Sequence, residues 1–172
     1  MENQGSLFNI FIVGVTKSGK STLASYLSDK LGFPHVSASE WIRSQNPNGT
    51  VHELTQASKE ELAKNPTVCV DFILTRYPTL LSQKGFIIEG IRNPNDFIAL
   101  YNQKTDILFR LRPGMVFGAT SFEAKGLDVI DKYVYWSSEI TQYNHHEIWY
   151  SNFDELNEQY PEILHQAGKL LQ

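Results

Sequence analysis

The chain has 172 residues, with 15 Lys and Arg against 19 Asp and Glu and a formal net charge of −4. This length fits one domain, and its 41% hydrophobic and 20% charged residues are typical of an ordered globular protein. A single cysteine, Cys69, excludes an internal disulfide, and no Cys/His cluster has zinc-ligand spacing. The mildly negative charge disfavours a nucleic-acid binder.

The predicted strands and helices alternate along the chain. In chain order they are strand 7–13, helix 21–31, strand 35–36, helices 39–43, 53–64 and 68–81, strand 85–90, helix 95–102, strand 106–111, strand 148–150 and a helix that follows Asn152. Pro78 predicts a kink or boundary, and Pro161 is expected to interrupt the last helix. This alternation predicts an α/β fold with a parallel sheet.

Two further features bear on the surroundings of the protein. No apolar run reaches the roughly 18–20 residues that cross a bilayer, and Met1 to Ser6 lack the basic region of a signal peptide. We therefore expect a soluble, cytoplasmic protein with no membrane partner. His145 and His146 are expected in a solvated loop, because adjacent side chains on a strand point apart and cannot share a metal.

Residues 14–21, Gly-Val-Thr-Lys-Ser-Gly-Lys-Ser, match the phosphate-binding pattern G-x-x-x-x-G-K-[ST] in full. The pattern lies between a predicted buried strand and a predicted helix. Glycines let the backbone N–H groups turn toward phosphate oxygens, and the helix N-terminus adds partial positive charge. Lys20 is expected to reach the β- and γ-phosphates, and the Ser21 hydroxyl to coordinate Mg²⁺. The predicted nucleotide-binding residues here are Gly14, Thr16, Lys17, Ser18, Gly19, Lys20, Ser21 and Thr22.

Such a loop is shared by kinases, GTPases and motor ATPases, so it does not name a reaction. The chain has no N-K-x-D guanine motif, and its length is short for an AAA-type machine.

Three further segments carry a resemblance to a known family. Residues 36–43, Val-Ser-Ala-Ser-Glu-Trp-Ile-Arg, are similar to an I-S-x-G-D-x-(L/I)-R segment. Residues 86–94, Phe-Ile-Ile-Glu-Gly-Ile-Arg-Asn-Pro, resemble a strand that ends in D-G-(F/I)-(P/R)-R, and residues 149–156 resemble the loop I-x-N-x-(G)-(S/T)-x-E-(E)-L. Together with the phosphate-binding loop, these segments resemble the P-loop nucleoside monophosphate kinase superfamily, which includes adenylate kinase, dephospho-CoA kinase and phage-type deoxynucleotide monophosphate kinases.

The resemblance implies a three-layer sandwich of about five parallel strands in the order 2-3-1-4-5, with helices on both faces. It implies a single domain over residues 1–172, with an acceptor-binding helical insert at about 37–80 and a lid at about 113–146.

The resemblance also implies roles for individual residues. Arg43 and Arg92 would contact the acceptor phosphate, with Ser39 and Glu40 beside it. Glu89, where the family usually has Asp, would help to place Mg²⁺. In the fourth segment, Asn152 would lie beside the adenine of ATP.

The lid region departs from the family, which usually closes an arginine-bearing lid over the phosphates. Residues 113–172 contain three Lys, no Arg and nine acids, so that the predicted lid and its approach offer only Arg112, Lys125 and Lys132. Arginine forks stabilise the charge on a transferring phosphoryl group. Arg110 and Arg112, at the end of the strand before the lid, are the nearest replacements.

The resulting interpretation is a phosphotransferase that depends on ATP and Mg²⁺ and acts on a small phosphorylated acceptor, a nucleoside or deoxynucleoside monophosphate. Its expected catalytic residues are Lys20, Glu89, Arg92 and Arg112. Two alternatives stay open, a dephospho-CoA kinase-like enzyme with a hydroxyl acceptor and a catalytically silent nucleotide-binding protein. The sequence also leaves open the identity of the acceptor and the oligomeric state.

Overall fold

The structure, a computed structural model of the chain, describes residues 8–14, 17–80, 85–91, 94–101, 106–113 and 145–169. Its elements are β1 Ile10–Val13, α1 Lys20–Leu31, β2 His35–Ser37, α2 Glu40–Gln45, α3 Val51–Lys64, α4 Val68–Arg76, β3 Ile87–Glu89, α5 Pro94–Leu100, β4 Ile107–Pro113, β5 His145–Tyr150 and α6 Phe153–Gly168. Across these ranges, no helix combines the length and apolar character that a membrane crossing requires.

The strands of the described ranges form one parallel sheet in the order β2-β3-β1-β4-β5. The central strand β1 pairs with β3 on one side and with β4 on the other, so that Ile12 has Glu89 and Phe109 as its neighbours. The predicted α/β fold and its strand order are confirmed. Because all strands are parallel, their carboxyl ends meet at one edge, where ligand sites of α/β sheets form.

An apolar core covers each face of the sheet. Ile10 and Ile12 of β1 lie in the core on the side of α1 and α6, whereas Phe11 and Val13 lie in the core on the side of α2, α4 and α5. Successive side chains of a strand point to opposite faces, so a strand covered on both sides must be apolar throughout. This requirement explains why β1 appears in the sequence as a continuous apolar run.

Local sequence determines where several helices begin and end. Helix α1 stops at Gly32, which has a φ of 72° and donates its N–H to the Ser28 carbonyl. Helix α3 begins with a reciprocal capping box between Thr50 and Glu53. Helix α4 ends at Arg76, before Pro78, because the residue that precedes a proline is disfavoured in a helix.

Two local predictions are wrong. Helix α6 runs without interruption through Pro161, because Tyr160 and Ile163 are buried against the sheet and this packing outweighs the lost backbone hydrogen bond. His145 and His146 lie in β5, not in a loop, and pair with Leu108 and Phe109 of β4. Pairing with a neighbouring strand extends β5 beyond its local apolar pattern.

Candidate active site

The phosphate-binding loop leaves the carboxyl end of β1, and two of its glycines are required by its shape. A Cβ atom on Gly14 would lie 2.8 Å from Ser18 Oγ and 3.2 Å from the Leu111 carbonyl oxygen, which leaves no space for a side chain. Gly19 has a φ of 93° and precedes the first turn of α1. Thr16 lies outside the described residues.

Lys20 and Ser21 form the start of α1, where the direction of the backbone N–H groups and the helix dipole favour an anion. The Lys20 side chain is buried, with 7% of its surface exposed. It runs toward the end of β3, since a Cβ atom on Gly90 would lie 4.0 Å from Lys20 Cε. A buried ammonium group at a helix N-terminus is a strong attractor for phosphate oxygens.

Glu89 ends β3 and faces this helix start, with 3% of its surface exposed. Ser21 Oγ donates a hydrogen bond of 3.1 Å to Glu89 Oε1, and His35 Nε2 lies 3.7 Å from the same oxygen in an electrostatic contact. Burial raises the pKa of Glu89, but His35, Ser37, the Lys20 charge and the Ser21 hydroxyl outweigh it and lower the pKa from 4.5 to about 2. Glu89 is therefore ionised at neutral pH.

The predicted magnesium ligands fit this chemistry. Mg²⁺ prefers oxygen ligands and keeps several waters or substrate phosphates, and the site offers the Ser21 hydroxyl beside the ionised Glu89 carboxylate. Within the part of the chain that the structure describes, no group of three or more His, Cys, Asp or Glu could hold a metal. The residues present suit an ion that arrives with a nucleotide.

The last residue of β5 and the first turn of α6 pack against the phosphate-binding loop. The Tyr150 hydroxyl donates a hydrogen bond to the Ser18 carbonyl. A Cβ atom on Gly19 would lie 3.1 Å from Leu156 Cδ2 and 3.4 Å from Phe153 Cε1. Asn152 caps α6, since its side chain accepts the Glu155 N–H at 2.9 Å. The Asn152 side chain therefore caps α6, and its predicted place beside the adenine of ATP stays a prediction.

The acceptor-binding residues predicted from the sequence have different surroundings. Ser39 Oγ lies 3.2 Å from Ser37 Oγ, and Ser37 is the register partner of Glu89. Both carboxylate oxygens of Glu40 are engaged by α4 and the residue after it, through Arg76 Nε at 3.3 Å and the Tyr77 hydroxyl at 3.2 Å.

Glu40 therefore ties α2 to α4. Arg43 is exposed on α2, and Arg92 lies outside the described residues.

The arginines at the end of β4 are held by β5. Arg110 Nη1 and Arg112 Nη1 lie 3.7 and 3.6 Å from Glu147 Oε1. The Arg112 guanidinium also stacks on the exposed Trp149 ring, 4.5 Å from its centroid. Arg110 is 4% exposed. Residues 114–144, most of the predicted lid, lie outside the described residues.

Sequence reasoning missed several residues that hold the site together. Ser37 and His35 contact Glu89 because β2 and β3 are parallel neighbours, so the predicted strand order could have paired them. The Tyr150 bond to the loop and the Glu147 pairs with the arginines have no local sequence pattern. These contacts join residues that are distant in the sequence.

Comparisons of the sequence with known proteins give a family match and several relatives. Residues 10–113 match a protein-family model described as AAA domain. An adenylate kinase from Anaeromyxobacter sp. (strain K) is 29% identical over a match that covers 45% of this chain and 44% of that protein. The chain spans less than half the length of several adenylate kinases that it matches.

Two solved structures share the fold over nearly the whole chain. Shikimate kinase from Acinetobacter baumannii, in complex with shikimate, has a TM-score of 0.60 and 16% identity, with 95% of this chain and 94% of that chain covered. Dephospho-CoA kinase from Campylobacter jejuni has a TM-score of 0.53 and 13% identity, with 94% and 97% covered. At these identities the likeness concerns the fold alone.

The family match spans the phosphate-binding loop, Glu89 and the first four strands of the sheet. The match covers only residues 10–113, so a chain that is short for an AAA-type machine can still contain the AAA domain. Together with the loop geometry and the strand order, the match shows that this chain belongs to the AAA domain family, as a P-loop protein of the nucleoside monophosphate kinase-like superfamily.

Proposed function

We propose that the chain is a phosphotransferase that uses ATP and Mg²⁺ and phosphorylates a nucleoside or deoxynucleoside monophosphate. The observation that carries this proposal is the arrangement of Lys20, Ser21 and Glu89. The Ser21 hydroxyl, which we expect to coordinate Mg²⁺, donates a hydrogen bond to the buried Glu89 carboxylate, which is ionised. The buried Lys20 lies beside them at the N-terminus of α1. The match to adenylate kinases supports the same chemistry.

The roles follow from the surroundings of each group. Lys20 and the N–H groups at the start of α1 bind the donor phosphates, and Ser21 and Glu89 hold Mg²⁺. Held there, the metal ion would neutralise negative charge on the donor phosphates. Catalysis then consists of positioning and charge neutralisation, without a covalent intermediate.

The state of the acids near the acceptor segment favours a phosphate acceptor over a hydroxyl. A hydroxyl acceptor must lose a proton to a base, whereas a phosphate oxygen is already ionised. Glu40 is held by Arg76 and Tyr77, and Glu89 by Ser21 with His35 nearby. Neither is placed as a general base, which argues against the dephospho-CoA kinase-like alternative.

The acceptor itself is proposed to lie between the insert and the end of β3. Arg43 on α2 and Arg92 after β3 supply the cations for its phosphate, and Ser39 lies beside Ser37 at the edge of the same region. Charge-assisted contacts from arginine suit a phosphate group because the guanidinium fork can bind two oxygens.

The experiment is ADP release from MgATP measured against a panel of nucleoside and deoxynucleoside monophosphates, dephospho-CoA and shikimate. We expect turnover with at least one monophosphate and none with the two hydroxyl acceptors. The matched control is Lys20→Met, which keeps the length of the side chain but removes its charge and should abolish turnover. Tight MgATP binding with no turnover of any acceptor would select the catalytically silent binder instead.

A further inference from the structure

The peptide between Ser18 and Gly19 in the phosphate-binding loop is held by residues from the end of the chain. Tyr150, the last residue of β5, donates a hydrogen bond from its hydroxyl to the Ser18 carbonyl. From the first turn of α6, Leu156 and Phe153 pack against Gly19, where an added Cβ atom would lie 3.1 and 3.4 Å from their side chains. Tyr150 and Leu156 belong to the core between the sheet and helices α1 and α6, so contacts from this core fix the peptide.

A fixed carbonyl also fixes the neighbouring N–H group. The two groups point in opposite directions across a planar trans peptide, and the described ranges contain no cis peptide bond. Since the Ser18 carbonyl is directed at the Tyr150 hydroxyl, the Gly19 N–H is directed away from that hydroxyl. In a loop of this sequence pattern, backbone N–H groups are the groups that surround the phosphates of a nucleotide.

The backbone just before this peptide requires such support. Lys17 has a φ of 61°, in the left-handed region that a residue with a Cβ atom rarely adopts. A strained conformation persists only where the surrounding contacts over-determine it. The bond from Tyr150 to the next residue, Ser18, is one such contact.

Tyr150 is well suited to hold the carbonyl. Its side chain is buried, with 4% of the residue exposed. Burial raises the pKa of its hydroxyl, which therefore stays protonated at neutral pH and remains a donor. A buried donor and acceptor that satisfy each other are costly to separate, so the bond favours one orientation of the peptide. Tyr150 also lies outside residues 10–113, which the family model matches.

We propose that Tyr150 is a positioning residue for the donor nucleotide, whose hydroxyl holds the Ser18–Gly19 peptide with the Gly19 N–H turned toward the donor phosphates. The inference rests on the proposed function, in which this loop binds a nucleotide. In this role Tyr150 acts through the backbone of the loop. It favours binding because the N–H group is already oriented before the nucleotide arrives.

The test compares Tyr150→Phe with wild type and with Tyr101→Phe. Tyr150→Phe keeps the ring in the core and removes only the hydroxyl. Tyr101→Phe is the matched control, because Tyr101 also donates to a backbone carbonyl, that of Asp106 at 3.0 Å, just before β4 begins. Calorimetric titration measures the affinity of each protein for MgADP, and the thermal midpoint measures its stability.

A second measurement observes the peptide itself. Ser18–Gly19 is the one Ser-Gly pair in the chain, so protein that contains ¹³C-carbonyl serine and ¹⁵N-glycine gives a single HNCO signal. This signal joins the Ser18 carbonyl carbon to the Gly19 N–H. Cell-free synthesis keeps the two labels apart, because cells interconvert serine and glycine. The signal is recorded with and without MgADP.

We expect Tyr150→Phe to bind MgADP about 3- to 10-fold more weakly than wild type, the scale of one hydrogen bond. Its Ser18 carbonyl signal should move upfield, because the carbonyl loses an accepted hydrogen bond. In wild type, MgADP should shift the Gly19 N–H signal. Tyr101→Phe should keep the wild-type affinity and signal, even where its thermal midpoint falls as far as that of Tyr150→Phe.

The inference and the proposed function can fail separately. Equal MgADP affinity of Tyr150→Phe and wild type refutes the role of Tyr150 and leaves the proposed function intact. An equal loss of affinity in Tyr101→Phe does the same, because it assigns the effect to stability. If wild type binds MgADP but its Gly19 N–H signal does not move, the inference is refuted without any variant. Absence of MgADP binding by wild type refutes the proposed function and the inference together.

Discussion

Glu89 at the phosphate-binding end of the sheet and Asp96 at the junction of two helices are both buried, with 3% and 2% of their surfaces exposed. Burial raises the pKa of both, but the donors around Glu89 lower its pKa to about 2, whereas the pKa of Asp96 rises from 3.8 to about 6. Burial acts in the same direction on both carboxyl groups, but their pKa values shift in opposite directions because their neighbouring groups differ.

Asp96 has few partners for its charge. It accepts the Val70 N–H at 3.3 Å. That bond and the Cys69 thiol lower its pKa, whereas the negative Asp71 raises it further. It caps α4 from outside that helix, whose own N-cap residue Thr67 makes no side-chain cap bond. Asp96 on α5 thus has a structural role, because its hydrogen bond to Val70 connects α5 to α4.

The comparison teaches that burial alone does not mark a functional acid. Glu89 is surrounded by a lysine, hydroxyls and an imidazole that stabilise its charge, which suits the role beside Mg²⁺ that we propose for it. Asp96 accepts a hydrogen bond from the Val70 N–H and lies near the Cys69 thiol, and neither group carries a charge that would balance its own.

The largest effect is expected for Glu89→Gln. Since the folded pKa lies below the ordinary value, the charged form stabilises the fold above about pH 4.5, and this contribution is lost as the pH falls toward 2. We expect the free energy of unfolding to fall by about 3 kcal/mol at pH 7, with the deficit shrinking below pH 4.5. Urea unfolding across this pH range measures it, with the exposed Glu60→Gln as the control. Equal stability of variant and wild type at pH 7 would contradict the charge-stabilising surroundings.

Lys20→Ala makes Glu89 more like Asp96, because it removes one of the groups that lower the pKa of Glu89. It should also remove the charge-assisted contact that we propose between Lys20 and the donor phosphates, worth about 1.5–3 kcal/mol, or roughly 10- to 150-fold in MgATP affinity. Calorimetric titration with MgATP measures this loss, and Lys30→Ala is the control. A folded variant with unchanged affinity would show that the loop is not a phosphate site.

Asp96→Asn should have the opposite sign from Glu89→Gln. The raised folded pKa means that the ionised carboxyl costs stability above about pH 6, and that this cost fades as the pH falls toward 4. An amide oxygen can still accept the Val70 N–H, so we expect unfolding free energy to rise by about 1–2 kcal/mol at pH 8. Chemical unfolding at pH 8 and pH 4 tests this. Asp96→Ala also loses the hydrogen bond that caps α4, so this variant should be less stable than wild type. If Asp96→Asn were also less stable, a positive charge near Asp96 would have to stabilise the ionised carboxyl.

The smallest effect is expected for the contact between α2 and α4. Arg76→Ala removes an ion pair with Glu40 in which the Arg76 side chain is 59% exposed, and exposed pairs contribute about 0.2–1 kcal/mol. Thermal unfolding should therefore change little, while Tyr77→Phe serves as the matched loss of the other Glu40 contact. A decrease of several kcal/mol in the free energy of unfolding would show that the contact between α2 and α4 matters as much for stability as we expect of Glu89.

Several features could be predicted from the sequence because their physical causes are local. The apolar run of β1, the glycine pattern of the phosphate-binding loop and the alternation of elements predict the α/β fold and place Lys20 and Ser21 at a helix start. The strand order, confirmed in the structure, came from the resemblance to a kinase superfamily. Helix ends at Gly32 and before Pro78 likewise follow from backbone chemistry that each residue carries with it.

Only the tertiary structure decided what surrounds each charge. The opposite pKa shifts of Glu89 and Asp96 depend on residues from β2, α1 and α4, which the fold brings together from distant parts of the chain. The pairing of Arg110 and Arg112 with Glu147 depends on the β4–β5 register. The continuity of α6 through Pro161 depends on packing against the core. Electrostatic and packing energies depend on distances in space, which a linear pattern does not contain.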